Sequence, residues 1–479
     1  MLIESSPANL DPRVGTDAQS ERIDELLFDS LVRKDDHFNL QPGAADSWQT
    51  PDPLTYIFHL HHGIRFHDGR PLTARDVKWT LDTMRDGSLM TLKGSTYKLV
   101  TAVETPDDFT VVVRLSEPFA PLLWNLTSGA FGIVPYGSDK GFNRNPVGSG
   151  PFHFVSLVPD GEVVIERNDD YWGEHARVKR LRFNIVPDAT TRALELRKGS
   201  ADIAVTSLSA DIVNALKRDP HLGVIERPGS SLQYLAFNLR DPILRDMRVR
   251  QALAYAIDRQ PMVHSFFGDE VRLADSLLPP EHWAYDGDVP HYSYDPAKAN
   301  AVLDAAGYAR DKNGVRFHLT MKTSNTEENT RLLATVLQQQ LGQVGIALDI
   351  RSFEFATFYS DVVKGEFQLY SLRWVGYSNQ DPDIFENVFS SASFPPKRAN
   401  RGYYSNPRVD QLIEQGRRST DQQQRKQIYG EIQRIVANDL PYIDLWYFDN
   451  VVVHSTRVRN LHVGPAGNYD FLNTVELVR

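Results

Sequence analysis

The stretch Leu54–Val77 constrains the fold of this 479-residue chain more than any other part of its sequence. Apolar residues occupy alternate positions across Leu54–Leu60, which is the period of a strand with one buried face. An Asp-Gly pair then marks a turn, because glycine tolerates the positive φ that such turns need. Thr73, with Asp76 three residues later, resembles a capping box, so the sequence predicts a helix that begins after Thr73.

The same stretch resembles the signature region of the family 5 solute-binding proteins of ABC importers, the peptide- and nickel-binding group. Further matches follow in the same order along the chain. Residues 146–152 read Pro-Val-Gly-Ser-Gly-Pro-Phe, where the family has Pro-Val-Gly-Thr-Gly-Pro-Phe, and residues 249–253 read Val-Arg-Gln-Ala-Leu. His61 is a departure, since the family usually has Arg or Lys after the strand. The resemblance covers nearly the whole chain.

Strand and helix patterns alternate along the sequence. They predict a helix capped by Asp188 and ended at Gly199, a helix at residues 248–259, a helix with Leu333, Val336, Leu337 and Leu341 inward before a strand at residues 346–350, and strands at residues 442–447 and 451–453. This alternation favours a mixed α/β layer structure, and the length is too great for one core. The resemblance implies an α/β fold of the periplasmic binding protein type, with two hinged lobes of mixed sheets and an additional β-rich domain on the first lobe. We expect lobe I to contain residues 1–39, 147–238 and 446–479. The β-rich domain is expected at residues 40–146 and lobe II at residues 239–445.

Composition excludes several functional classes. The chain has 52 basic and 62 acidic residues, a net charge of −10, and no basic cluster, which argues against nucleic-acid binding. It has no cysteine, so thiol catalysis and cysteine-ligated zinc are excluded. No run of 18 apolar residues occurs, so we expect no membrane-spanning helix.

The first residues contain neither a charged segment nor the apolar segment of a secretion signal. Family members carry such a signal, so we expect the sequence to correspond to a mature form with an added initiator Met. The resemblance implies a location in the periplasm or at the outer face of the cytoplasmic membrane. It also implies a monomer that docks on the permease of an ABC transporter and binds no nucleic acid.

Motifs for common enzyme chemistries are missing from the sequence. It has no phosphate-binding P-loop, no dinucleotide fingerprint and no His-Glu-x-x-His pattern, so we expect no cofactor and no enzymatic activity. Asp381 and Asp383 do offer two carboxylates of the kind a glycosidase uses. Acids that flank a proline are more typical of turns, but a carboxylate-dependent hydrolase remains the alternative function.

Four histidines cluster in the signature region, at positions 59, 61, 62 and 67. His59 and His61 would share one face of a strand, an arrangement that could bind a metal ion. The alternative is a solvated strand face followed by a histidine-rich turn. We expect no metal at this position.

The best candidate for a ligand site is the loop 372–385, which follows a predicted strand. Aromatic side chains provide apolar area there, and side-chain amides provide donors and acceptors for a polar ligand. The family has a similar block, Trp-x-Gly-Asp-x-x-Asp-Pro-Asp-x-Phe, in its cleft. The candidate ligand contacts in this loop are Arg373, Trp374, Tyr377, Asn379, Gln380 and Asp381.

The same loop departs from the pattern of dipeptide-binding family members. Those relatives have an Asp three residues after the Trp that receives the ligand's α-amine, whereas this chain has Tyr377. They also use an Arg after an earlier strand for the ligand's carboxylate, and the corresponding region here, residues 322–326, offers Ser or Asn. Because unpaired desolvated charges cost several kcal/mol, we do not expect a strict dipeptide binder. Longer peptides held by backbone hydrogen bonds, or another solute, remain open.

Two other loops supply candidate contacts. Asn9, Asp17 and Gln19 lie in the loop after the first predicted strand, and Arg401 and Tyr403 lie far downstream. In each case the alternative is an ordinary solvated loop. Together with the resemblance, these residues predict a solute-binding protein that captures a peptide or similar polar solute in an interlobe cleft by hinge closure and delivers it to a permease. A sensor or chaperone on the same scaffold is a further alternative.

Overall fold

A computed structural model describes residues 1–127, 129–268, 270–325, 328–375 and 381–478. The chain forms two compact units. Unit 1 consists of residues 1–228, 417–420 and 450–479, and unit 2 of residues 229–416 and 421–449. The predicted β-rich segment, residues 40–146, lies within unit 1. Its separation as a third domain stays a prediction.

The strands are short in unit 1, and two long strands, β12 and β17, pass from one unit to the other. The strands are β1 Leu2–Ile3, β2 Val32–Lys34, β3 Leu40–Pro42, β4 Ala45–Asp52, β5 Thr55–Leu60, β6 Val100–Asp107, β7 Thr110–Leu115, β8 Phe152–Val158, β9 Glu162–Arg167, β10 Arg180–Ile185, β11 Ile203–Val205, β12 Leu222–Phe237, β13 Val271–Leu273, β14 Phe317–Ser324, β15 Ile346–Phe353, β16 Leu369–Trp374, β17 Tyr442–Ser455, β18 Val458–Arg459 and β19 Glu476–Leu477.

Helices alternate with these strands, as the sequence predicts. They are α1 Ala18–Leu27, α2 Ala74–Arg85, α3 Leu122–Asn125, α4 Ala189–Lys198, α5 Ala210–Leu216, α6 Met247–Ala256, α7 Gln260–Phe267, α8 Pro296–Ala305, α9 Glu328–Gln343, α10 Phe355–Lys364, α11 Ile384–Phe389, α12 Pro407–Arg418 and α13 Gln422–Asp439. None of the helices in the described residues has the length and apolarity that a membrane crossing requires.

Unit 1 contains two main sheets. One is antiparallel, with strand order β4-β5-β7-β6. In the other, β1 runs parallel to β10 and β11, while β9 and β8 add antiparallel strands at one side. The sheet around β1 buries its apolar side chains against α1 and the C-terminal segment, and this packing places the start of the chain inside the unit 1 core.

The signature region forms the predicted strand and helix. Tyr56, Phe58 and Leu60 are fully buried on one face of β5, which confirms the alternation. Leu54 is 39% exposed, so its predicted place on that face is wrong; the strand begins one residue later, at Thr55. At the start of α2 the Asp76 carboxylate accepts hydrogen bonds from the backbone N–H and hydroxyl of Thr73 at 2.8 and 2.9 Å.

The motif at residues 146–152 packs directly against the end of α1. A side chain at Gly148 would place its Cβ 1.8 Å from the carbonyl oxygen of Leu27, so only glycine allows this approach. His67 of the signature region bonds the same motif, since its Nδ1 accepts from the N–H of Gly148 at 3.2 Å. Burial lowers the pKa of His67 to about 4, so the ring is neutral near pH 7. The two motifs are therefore parts of one packed structure.

In unit 2, β14 lies between β15 and β16 and runs parallel to both. β16 pairs antiparallel with β12, and β13 pairs antiparallel with the first part of β17. Helices α6 and α9 cover the sheet with buried Leu, Val and Ala side chains. The predicted strand at residues 346–350 is confirmed, and so is the helix before it, whose Leu333, Leu337 and Leu341 are buried.

Two predicted elements differ from the structure. The predicted strands 442–447 and 451–453 form one continuous strand, β17. Asp449 and Asn450 lie within this strand, where Asp449 pairs with Arg272 of β13 at 2.8 Å. The predicted helix 248–259 ends at Ala256, because the N–H of Asp258 donates to the side-chain carbonyl of Gln340 at 3.0 Å instead of continuing the helix.

Candidate functional site

The candidate site in unit 2 lies at the carboxyl ends of the parallel strands β14, β15 and β16. Ser324 pairs with Phe353 at the ends of the first two strands, and β16 ends at Trp374. Helices α9 and α10 follow β14 and β15 after short connections. Ligands of open α/β sheets bind outside the carboxyl ends of the strands, so this edge is where a binding site is expected.

Trp374, one of the predicted ligand contacts, lies at this edge as the last residue of β16. It is half-buried, and its indole ring stacks on Tyr234 at 5.9 Å between ring centroids and 16° between planes. Tyr234 in turn stacks on Tyr442 at 4.4 Å. Among the described residues, the Trp374 indole N–H has no hydrogen-bond acceptor. Tyr377, Asn379 and Gln380 of the predicted loop lie outside the described residues.

Arg401 lies beside Trp374 and contacts the aromatic side chains around it. The residue is only 9% exposed, its guanidinium donates to the hydroxyl of Tyr359 at 3.1 Å, and its central carbon is 5.7 Å from the Trp374 ring. Within the part of the chain that the structure describes, Arg401 forms no ion pair with a carboxylate.

The tyrosines around Arg401 do not neutralise it. Burial raises the pKa of Tyr234 and of Tyr442 well above the ordinary value, so both hydroxyls stay uncharged near pH 7. A guanidinium remains protonated at any physiological pH. Since buried charges are usually paired, the positive charge of Arg401 is suited to an anionic group brought by a ligand.

Arg373 lies one residue before Trp374 and belongs to a neighbouring pocket in the same unit. Its guanidinium stacks on the ring of Phe448, 3.5 Å from the centroid. The pocket has a volume of about 300 Å³. Its apolar lining comes from Phe267, Leu333, Phe355, Leu372, Trp446 and Phe448, and its polar lining from Gln233, Asn329, Thr330 and Arg373.

This pocket is not predictable from a local sequence pattern, since its lining comes from six separate elements. One local feature does point to it: Phe355 and Tyr359 are aromatic residues four positions apart in a helix that follows a strand. In the structure they stack at 5.8 Å with nearly parallel rings and remain 42% and 39% exposed. Exposed aromatic pairs at the start of a strand-end helix are typical of binding surfaces.

The predicted unit 1 residues have structural hydrogen bonds. Asp17 caps α1, because its carboxylate accepts from the N–H of Ser20 at 3.0 Å. The side-chain carbonyl of Asn9 accepts from the N–H of Asp11 at 2.9 Å. Gln19 lies in α1 instead of the predicted loop; it is buried and accepts from the hydroxyl of Tyr469 at 3.0 Å. The bonds of Asn9 and Asp17 position the loop, and a role of the three residues in ligand contact stays a prediction.

The geometry around Asp381 favours a structural role over ligand contact. The fully buried Arg425 donates to both of its oxygens, at 2.8 and 3.0 Å. One of these oxygens also accepts from the N–H of Asp383 at 2.7 Å. A carboxylate held in this way cannot serve as a free general base or nucleophile, which speaks against the hydrolase alternative.

Tyr403 also packs within unit 2, over the end of α10. Its ring lies 3.5 Å beneath the guanidinium of Arg240, and a Cβ on Gly365 would come within 2.5 Å of it. Tyr403 has a positive φ of 57°, which this packing holds in place. The side chain therefore stabilises the loop that carries Arg401, and direct contact with a ligand stays a prediction.

The histidines of the signature region pack on aromatic neighbours. The ring of His61 lies 4.7 Å from Trp172, and that of His62 stacks on Phe109 at 3.8 Å. Across the described ranges, no group of three or more His, Cys, Asp or Glu side chains is arranged to hold a metal ion.

The chain is similar to known proteins in both sequence and fold. Residues 39–395 match the model of the bacterial extracellular solute-binding proteins, family 5. The dipeptide-binding protein of Escherichia coli strain K12 is 28% identical over 506 residues, which cover 98% of this chain and 93% of that protein.

Two solved structures share the fold over almost their full length. HbpA2 from Haemophilus parasuis has a TM-score of 0.89 and 26% identity, covering 100% of this chain and 99% of that one. The periplasmic binding protein DppA from Helicobacter pylori, solved with the peptide STSA, has a TM-score of 0.79 and 25% identity, covering 99% and 97%. The predicted fold class, an α/β fold of the periplasmic binding protein type, is confirmed.

Proposed function

We propose that this chain, which belongs to the bacterial extracellular solute-binding proteins of family 5, captures a peptide-like solute for an ABC importer. Solute binding is the role of the family. The peptide class is our proposal, supported by the similarity to a dipeptide-binding protein and to a structure solved with a peptide. Because Tyr377 replaces the usual amine-binding Asp, we favour solutes other than free dipeptides.

The observation that carries this proposal is the buried positive charge of Arg401, which lies beside Trp374 and has no carboxylate partner among the described residues. Both residues lie at the carboxyl edge of the unit 2 sheet, where ligands of such sheets bind. An acidic group of the solute would pair with the guanidinium, and a flat or apolar part would pack on the indole. Contacts from Tyr377, Asn379 and Gln380, and from the unit 1 loop, are part of the proposal.

We propose that the chain binds its solute without chemical change. The similar proteins are named for binding, and one carboxylate of the pair that a hydrolase would need, that of Asp381, is engaged by Arg425. The family is extracellular, and we place this chain in the periplasm or at the outer face of the cytoplasmic membrane. There it would act as a monomer and deliver solute to a permease.

Isothermal titration calorimetry tests this function with defined probes. The probes are the tripeptides Ala-Phe-Ala and Ala-Ala-Ala, with glucose as a solute that carries no charge. We expect one tripeptide molecule to bind per chain and glucose not to bind. Binding of glucose in preference to both tripeptides, or binding of none of the probes, would contradict a peptide-like solute.

A further inference from the structure

We propose that the 300 Å³ pocket of unit 2 receives a bulky apolar side chain of the solute. The inference rests on the proposed function and adds a solute class to it, namely a peptide with an aromatic or large branched side chain. It also predicts that residues lining the pocket determine which peptides bind. Phe355 and Thr330 are the two lining residues whose substitution tests this.

The position of the pocket ties it to the candidate site. Leu372 and Arg373 line it near the end of β16, Phe355 is the first residue of α10, and Thr330 lies in the first turn of α9. All of these follow or end strands whose carboxyl ends meet at one sheet edge. Arg373 and Trp374 point to opposite faces of β16, but the pocket is connected to the candidate site through α10. Phe355 in the pocket lining stacks on Tyr359, whose hydroxyl accepts from Arg401 at 3.1 Å. A solute anchored at Arg401 would thus have the pocket within reach across these two rings.

The inner wall of the pocket is apolar and held by side-chain packing. Phe267 and Trp446 are 7% and 1% exposed, and their rings lie 5.2 Å apart. Phe267 also meets Phe448 edge-on at 5.4 Å. Such contacts fix the wall in the absence of ligand, so a side chain entering the pocket meets a preformed surface.

The volume of the pocket suits an aromatic ring. An apolar cavity of about 150 Å³ in another protein admits benzene, and this pocket is larger at about 300 Å³. A phenyl, phenol or indole group would bury most of its area there. The methyl group of alanine would leave most of the pocket unfilled, so the gain in apolar burial would be lost.

The rim of the pocket is suited to the backbone of a peptide. Phe355 remains 42% exposed, so apolar area continues out of the pocket. Asn329 and Arg373 supply donors and acceptors at the same place. Aromatic walls combined with polar groups in the lining suit an apolar side chain attached to a chain of amides.

Calorimetric titration with Ala-Phe-Ala and Ala-Ala-Ala measures this selectivity. Burial of a phenyl ring predicts that wild-type protein binds Ala-Phe-Ala roughly ten- to a hundredfold more tightly than Ala-Ala-Ala. Thr330→Trp fills the pocket with an indole, so it is expected to lower the affinity for Ala-Phe-Ala to about that for Ala-Ala-Ala. The control Arg331→Trp adds the same indole at the next position, which is exposed and outside the pocket, and should change neither affinity.

Phe355→Ala provides a second variant at a partly exposed position, in case the larger substitution disturbs folding. It removes one wall of the pocket and is expected to lower the affinity for Ala-Phe-Ala alone. If wild-type protein binds both tripeptides equally, or if Thr330→Trp and Phe355→Ala keep the preference, the inference is wrong and the proposed function still stands. If neither tripeptide binds wild-type protein, the proposed function fails and the inference fails with it.

Discussion

Replacement of Arg401 by glutamine tests the charge at the centre of the candidate site. Arg401 is 9% exposed, lies between Tyr359 and Trp374, and has no carboxylate partner among the residues that the structure describes. A solute carboxylate would be its counter-ion. We therefore expect Arg401→Gln to weaken binding of a peptide with a free C-terminal carboxylate and to leave binding of the corresponding C-terminal amide nearly unchanged.

The size of the effect follows from the burial of the guanidinium. Two unit charges about 4 Å apart attract by about 4 kcal/mol at an effective dielectric constant of about 20. Truncating one partner of a buried charge pair costs about 2–5 kcal/mol. We expect a loss of about 2–4 kcal/mol, or roughly 30- to 700-fold in Kd. Without ligand, the variant should be at least as stable as wild type, because an unpaired buried charge has been removed.

The assay is calorimetric titration with Ala-Phe-Ala and with its C-terminal amide. Wild-type protein should prefer the free acid, and Arg401→Gln should bind acid and amide alike. Arg408→Gln is the matched control, since Arg408 is in the same unit and pairs with Glu431 at the surface. Equal binding of acid and amide by wild-type protein would refute the reasoning, as would an unchanged preference in Arg401→Gln.

Two further predictions concern stability. Arg425→Met leaves the carboxylate of Asp381 without its partner, so we expect the free energy of unfolding to fall by about 3–5 kcal/mol. The fall would be measured as a lower urea midpoint, and adding Asp381→Asn should partly restore it. An unchanged midpoint would contradict a structural role for this pair. Burial raises the pKa of Glu21 to about 7 from 4.5, so the folded protein retains a proton that the unfolded chain releases, and stability should fall as pH rises through this range. Glu21→Gln should flatten that fall in urea titrations from pH 4.5 to pH 7, and a profile identical to wild type would assign the pH dependence to other groups.

Features set by neighbours along the chain were predictable from the sequence. Asp188 caps α4 by accepting from the N–H of Thr191 at 2.7 Å, and Gly199 ends the helix with a φ of 76°. The cap of α2 at Thr73 is equally local. Such elements depend on side chains three or four positions away, so their pattern is visible in sequence.

Features set by distant partners were not predictable in the same way. Within β17, Asp449 pairs with Arg272, which is 177 positions away, and the N–H that follows α6 at Asp258 donates to Gln340, which is 82 positions away. The same holds for the site. Trp374 and Arg401 are recognisable from their loops, but the pocket beside them requires residues from β12, α7, α9, α10, β16 and β17 to meet.

Native mass spectrometry of the protein as purified, followed by release of any bound molecule in acid, determines whether the chain holds a solute and leaves it chemically unchanged. We expect one small molecule per chain, with the mass of a peptide, and the same mass after prolonged incubation with the protein at neutral pH. Conversion of the released molecule into fragments by fresh protein would contradict a binding function. So would a protein that retains no solute and gains no mass when Ala-Phe-Ala is added.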